Sequence, residues 1–236
     1  MVIQIWDLPL RLFHWLLVFS IIAAYVTSEL DSFWLIWHAH IGIFTLTLMV
    51  FRIAWGFMGS SYAIFSSFIP LIFHMRAYSL SDWSGVGHNP LGSLSIILML
   101  SVILTQACFG LFALNDEIEF HGPLYDLVSA FWSERLTAWH RQLFYGLVLL
   151  ITLHLAAISY YTWFKRKKLI MPMITGKTWV ADETPFKVVR GSRKIHLLLA
   201  VCMSAMVFWC IESGALLRWI TAALPEVKQT ITTPVW

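Results

Sequence analysis

The chain has 236 residues, of which 59% are hydrophobic and only 12% charged, and its mean hydropathy is +0.74. A soluble domain is about a quarter charged, and a disordered chain lacks the aromatic residues that make up 16% here. The net charge of +3, with no interleaved basic face, argues against a nucleic-acid binder. Cys108, Cys202 and Cys210 all sit in apolar runs and offer no disulfide framework, no zinc spacing and no CxxCH haem attachment. The composition is that of an all-α integral membrane protein.

Crossing roughly 30 Å of hydrocarbon takes about 20 helical residues. Five stretches qualify: Leu10–Ser28, Phe33–Phe57, Leu91–Leu114, Thr137–Phe164 and Ile195–Leu217. The first is read as a span rather than a cleaved signal, because it is poor in basic residues and carries His14 and Trp15 inside the run. Between spans two and three, Gly56–Pro90 is a long connection with Phe65, Phe68 and Phe73, expected to lie partly in the membrane interface. It ends in Gly87-His88-Asn89-Pro90, where Asn89 is the expected N-cap and Pro90 the first helical residue.

Lysine and arginine concentrate in cytoplasmic loops. With the N-terminus cytoplasmic, that side holds 12 of the 16 basic residues, including the run Lys165–Lys168. The outer loop Asn115–Arg135 carries Asp116, Glu117, Glu119, Asp126 and Glu134 against Arg135, a net −4. The expectation is therefore a cytoplasmic N-terminus and an outward C-terminus. Residues 1–177 form a four-helix core, and residues 178–236 add a basic linker, a fifth span and a short tail.

Ionisable side chains inside spans are costly and usually mark function. His14, His38, His40, His140 and His154 all fall in or at the ends of spans. His140 and His154 are 14 residues apart, so they share one helix face to within about 40° and stand roughly 21 Å apart along the axis. Given the alternating span directions, His14 falls at the depth of His154 and His38 at that of His140. Two stacked imidazole pairs suit two metal centres, each with trans nitrogen ligands and each enclosed with a flat macrocycle in a helix bundle. Haem iron fits this apolar interior, since imidazole is a common axial ligand. Zinc would want four ligands per site, and none are placed for it.

His40 is about 200° around the helix from His38, so the two cannot both face one haem. Spacing favours His38, because Gly42 one turn later leaves room for a porphyrin plane. His40 stays open as the alternative. His74 and His121 read as surface histidines, His196 as an interface anchor, and His88 as a residue with a lesser chance of quinone contact. Arg11, Arg52 and Arg141 lie beside the paired histidines and could meet haem propionates, or could snorkel to the headgroups.

Several motifs together resemble one family. They run in order: Arg11-Leu12-Phe13-His14-Trp15; His38-Ala39-His40-Ile41-Gly42; Arg52-Ile53-Ala54-Trp55-Gly56; Gly87-His88-Asn89-Pro90; Trp139-His140 with His154; and Met173-Ile174-Thr175-Gly176-Lys177. The set is similar to the prokaryotic cytochrome b561 superfamily, in its branch of b-type cytochrome subunits of nickel-iron hydrogenases. The resemblance covers roughly residues 6–177 and implies His14, His38, His140 and His154 as axial ligands of two haems b. The fifth span lies beyond it.

Haem iron with both axial positions filled has no open substrate position, so the expected role is one-electron transfer without a catalytic side chain. The expectation is a conduit in the bacterial inner membrane between the quinone pool and a periplasmic partner, either a c-type cytochrome or a hydrogenase-like protein. The acidic outer loop could steer a basic partner of this kind. The alternative is a self-contained oxidoreductase, such as a superoxide:quinone oxidase. Lipid surrounds the spans in either case, and homo-oligomer formation stays open.

Overall fold

The computed structural model describes residues 1–73, 87–115, 120–180 and 194–223. His74, Arg76, Lys187, Arg190, Arg193, the loop acids Asp116, Glu117 and Glu119, and the tail to Trp236 lie outside the described residues. Five helices are long and apolar enough to cross a membrane: α1 (Leu8–Glu29), α2 (Ser32–Met58), α4 (Pro90–Gly110), α5 (Ala130–Trp163) and α7 (Lys194–Glu212). The shorter helices are α3 (Ile69–Ile72), α6 (Ile170–Thr175) and α8 (Ala215–Ala223).

Helix starts follow side-chain chemistry. The Asp7 carboxylate accepts the Leu10 amide at 2.8 Å ahead of α1, and Asn89 Oδ1 accepts the Gly92 amide at 2.6 Å ahead of α4, with Pro90 first in that helix. Inside the spans, Thr27, Thr45, Thr47 and Thr152 return their hydroxyls to carbonyls four residues back, so these hydroxyls are paired within their own helices.

The chain divides into two compact units. Unit 1 comprises Met1–Leu16, Phe51–Ser101 and Val148–Val201, and unit 2 comprises Leu17–Val50, Val102–Leu147 and Cys202–Trp236. Each of the five long helices thus gives one segment to each unit.

In unit 1, strand β1 (Val2–Gln4) pairs antiparallel with β4 (Lys177–Trp179), in the register Val2 to Trp179. Gly176, at φ +80°, turns the chain from α6 into β4, and its carbonyl accepts the Ile5 amide at 2.8 Å. Aromatic packing fills this unit, with Trp55 2% and Phe68 1% exposed. Phe65 lies against the α-carbon of Gly56 and Phe68 is buried, while Phe73 is exposed.

In unit 2, Ile43, Leu46, Leu111, Leu124 and Ile211 form the buried cluster. Strand β2 (Leu114–Asn115) pairs with β3 (Phe120–His121). Through Ile211 and Val207, α7 packs on the same cluster as α2.

Three boundaries differ from the apolar runs. Helix α5 begins at Ala130, seven residues before the expected Thr137, because a helix continues past the apolar stretch through Glu134 and Arg135. Helix α4 stops at Gly110, where the chain turns into β2. Helix α7 stops at Glu212, and Gly214 at φ +66° starts the separate helix α8.

Candidate haem sites

One histidine pair belongs to unit 2. His38 on α2 and His140 on α5 face each other with ring centroids 6.0 Å apart and planes at 85°. Each ring is held from behind. His38 Nδ1 donates to the Ala24 carbonyl at 2.8 Å, and His140 Nδ1 donates to the Gln106 carbonyl at 2.8 Å. A hydrogen bond at Nδ1 fixes the tautomer that leaves Nε2 as the metal-binding nitrogen. Metal–imidazole bonds are about 2.0–2.1 Å, so two rings sharing one ion stand with centroids roughly 6 Å apart, the separation seen here.

The surroundings also suit a flat ligand. A cavity of about 510 Å³ opens at this pair, lined by apolar residues of α1, α2, α4 and α5 together with Tyr25, Glu29 and Arg141. A side chain added at Gly42 would meet no atom within 4 Å, so that wall of the cavity is open. At Gly110 the reverse holds, because an added Cβ would come within 3.2 Å of His140 Cε1. Glycine there lets α4 support the imidazole closely.

His40 does not join this pair. Its Nδ1 lies 2.8 Å from Glu212 Oε1 on α7, with Trp37 at its edge.

The second pair belongs to unit 1. His14 on α1 lies within electrostatic reach of His154 on α5, and Trp15 stands edge-on to the His14 ring at 5.1 Å. His14 Nδ1 is buried without a hydrogen-bond partner, and so is Arg11 Nε one turn earlier. Arg11 Nη1 donates to the Ile174 carbonyl, and Trp15 Nε1 donates to the Met173 carbonyl at 3.2 Å. The Met173–Lys177 motif therefore holds the start of α1 through its backbone. Two orphaned buried nitrogens one turn apart fit a group that brings both a metal and an anionic acceptor.

Arg52 is 3% exposed. It donates to the Ala63 carbonyl at 3.1 Å and lies 4.9 Å from the centre of the Phe65 ring. Near it, His88 packs between Trp6 at 4.6 Å and Phe68 at 4.9 Å, and burial beside the Arg52 cation pushes its pKa down to about 3. His196 Nδ1 lies 3.1 Å from the Met58 carbonyl, and His121 stacks on Tyr125. Arg141 lines the cavity beside His38 and His140.

Sequence reasoning missed Ala24, Gln106 and Gly110. The first two act through backbone carbonyls, which leave no side-chain signature. Among the described residues no group of three or more His, Cys, Asp or Glu is placed to hold a bare metal ion. Paired imidazoles fit a metal that arrives with its own equatorial ligands, as in a macrocycle.

Residues 5–176 match the profile of the prokaryotic cytochrome b561 family. The chain belongs to that family. A protein of Bradyrhizobium diazoefficiens named as a probable Ni/Fe-hydrogenase B-type cytochrome subunit is 25% identical, with 76% of this chain and 87% of that one covered. A protein of the same name from Azotobacter chroococcum is 23% identical, with 78% and 91% covered. No solved structure matches the chain. Family membership makes this a multi-pass membrane cytochrome that carries haem b and transfers electrons. Helix α7 lies beyond the matched residues.

Proposed function

We propose that the chain binds two haems b, one between His14 and His154 and one between His38 and His140, and passes electrons between the quinone pool and a periplasmic redox partner. The observation that carries this reading is the His38/His140 pair: two facing imidazoles, each tied at Nδ1, beside an apolar cavity. His140 and His154 share helix α5, so a single helix offers one ligand to each haem. Arg11 and Arg141 would meet the propionates, and the cleared wall at Gly42 would meet the macrocycle face.

Haem supplies one-electron chemistry, and the chain supplies position, burial and ligand tautomer. The N-terminus is cytoplasmic in this reading and the membrane is the bacterial inner membrane, because the basic residues gather on one side. The named relatives point to a hydrogenase-like partner, and a basic c-type cytochrome would also suit the acidic outer loop.

The test is electron transfer across proteoliposomes holding the purified protein, with a membrane-impermeant ferric acceptor inside and a quinol added to the membrane. The expected result is quinol-dependent reduction of the trapped acceptor, abolished in His140→Ala. Reduction at the rate of protein-free vesicles would contradict the reading.

A further inference from the structure

The end of α5 and the segment after it, all within unit 1, combine two features that a water-facing loop does not. The first is charge. Lys165, Arg166, Lys167 and Lys168 form an unbroken basic run directly after Trp163 and Phe164, where α5 ends, and Lys177 follows α6. All five side chains are exposed, and residues 163–180 contain no acid.

The second feature is apolar surface in the same place. Trp163 and Phe164 are 73% and 75% exposed, and Trp179 is 82% exposed. On α6, Ile170, Met171 and Ile174 are exposed and fall within about 100° of one another around the helix, whereas Pro172 on the other side is buried. Surface cations with this much exposed apolar area between them suit the membrane interface, where apolar side chains enter the acyl boundary and cations meet phosphates.

The backbone holds the two features together. The Lys167 amide donates to the Tyr161 carbonyl at 2.9 Å, and Arg166 takes φ +54°, a left-handed position usually given to glycine. That turn ends the spanning helix at once and keeps the basic run beside Trp163 and Phe164. The segment is also fixed from behind. The carbonyls of Met173 and Ile174 accept from Trp15 and Arg11 of α1, and the Gly176 carbonyl accepts the Ile5 amide.

We infer that residues 163–179 form a binding site for anionic phospholipid. Ile170, Met171 and Ile174 enter the acyl boundary, and Lys165, Arg166, Lys168 and Lys177 hold the phosphate of a headgroup such as that of phosphatidylglycerol. Charge complementarity and direct continuity with the spanning helix favour this occupant. The inference stands apart from the number of haems and from the redox partner.

The experiment is electron paramagnetic resonance of nitroxide-labelled lipid around the full-length, haem-loaded protein in phosphatidylcholine vesicles. Labelled phosphatidylglycerol and labelled phosphatidylcholine are compared for the motionally restricted population at the protein. Wild type is expected to hold the anionic probe at least about fivefold more strongly, which is what one well-placed cation contributes, and to prefer it less at high salt. The triple variant Lys165→Gln, Lys167→Gln, Lys168→Gln is expected to lose the preference with its haem spectrum unchanged. Arginine at the same three positions is expected to keep it. The triple variant Lys187→Gln, Arg190→Gln, Arg193→Gln removes equal charge from the linker and is expected to keep it as well. Should the first variant fail to fold, Lys177→Gln alone is expected to weaken the preference.

No preference in wild type would overturn the inference and leave the run to water or to a protein partner. Equal losses in the two neutral triple variants would also overturn it, because the attraction would then belong to the whole basic side of the protein.

Discussion

Units 1 and 2 each hold one pair of histidines, yet they prepare them differently. In unit 2 the rings of His38 and His140 already stand 6.0 Å apart, braced by the carbonyls of Ala24 and Gln106 beside an open cavity. In unit 1 the effort goes into the surroundings. The β1–β4 ribbon, the carbonyls of Met173 and Ile174 and the aromatic packing around Arg52 and His88 fix the start of α1, while His14 Nδ1 and Arg11 Nε are left without partners. One unit orients its paired imidazoles directly, and the other orients the helix that carries one of them. The same chemistry can thus be prepared by hydrogen bonds from backbone carbonyls to the imidazoles or by a rigid frame.

The comparison can be broken most sharply in unit 2. His38→Ala is expected to eliminate one haem, whereas His40→Ala is expected to keep both, since His40 is engaged by Glu212. Haem quantification by pyridine haemochrome on the two variants checks this, and equal losses would erase the distinction between the two histidines.

A gentler change tests the support behind the ligand. Gly110→Val places atoms where a Cβ alone meets His140 Cε1 at 3.2 Å, so the ring must move. Loss of such outer-shell support typically costs about 10–100-fold in metal affinity. Occupancy of the His38/His140 haem under haem-limited expression should fall on that scale while the His14/His154 haem persists.

In unit 1 the frame is the target. Asp7 caps α1 at the Leu10 amide and accepts Trp55 Nε1 at 3.0 Å, so Asp7→Ala removes two hydrogen bonds at once. A loss of about 1–2 kcal/mol is expected, read as a lower thermal midpoint in the haem-loaded protein. The spectrum of the His38/His140 haem should not change.

A further effect is pH-dependent. His88 has a pKa near 3 when folded, against 6.5 for a free imidazole, so the unfolded chain binds a proton that the folded chain refuses. Below pH 6.5 this group withdraws stability at up to about 1.4 kcal/mol per pH unit, and the loss levels off near pH 3. Thermal midpoints between pH 7 and 5 should fall less steeply in His88→Gln than in wild type.

Much of this was legible in the sequence, and the reason differs by feature. The five spans and the family could be read because membrane helices and ordered motifs are written in side chains. The approach of His38 to His140 could be read because helical spacing and span direction together fix depth. Three things were not legible. The carbonyls of Ala24 and Gln106 carry no residue signature, so nothing in the sequence points to them. The β1–β4 ribbon joins residues about 175 positions apart and is too short to show an alternating pattern. The start of α5 lies outside the apolar run, where hydropathy does not report helix. Arg52 also looked like a rim cation and instead lies buried under Phe65 and Phe68.

The most direct measurement is haem content per chain, with reduced-minus-oxidised spectra, in wild type and in the four single variants His14→Ala, His38→Ala, His140→Ala and His154→Ala. The account predicts two low-spin b haems in wild type. His38→Ala and His140→Ala should lose the same one, and His14→Ala and His154→Ala the other. A single haem in wild type, or losses that group the histidines in any other way, would contradict it.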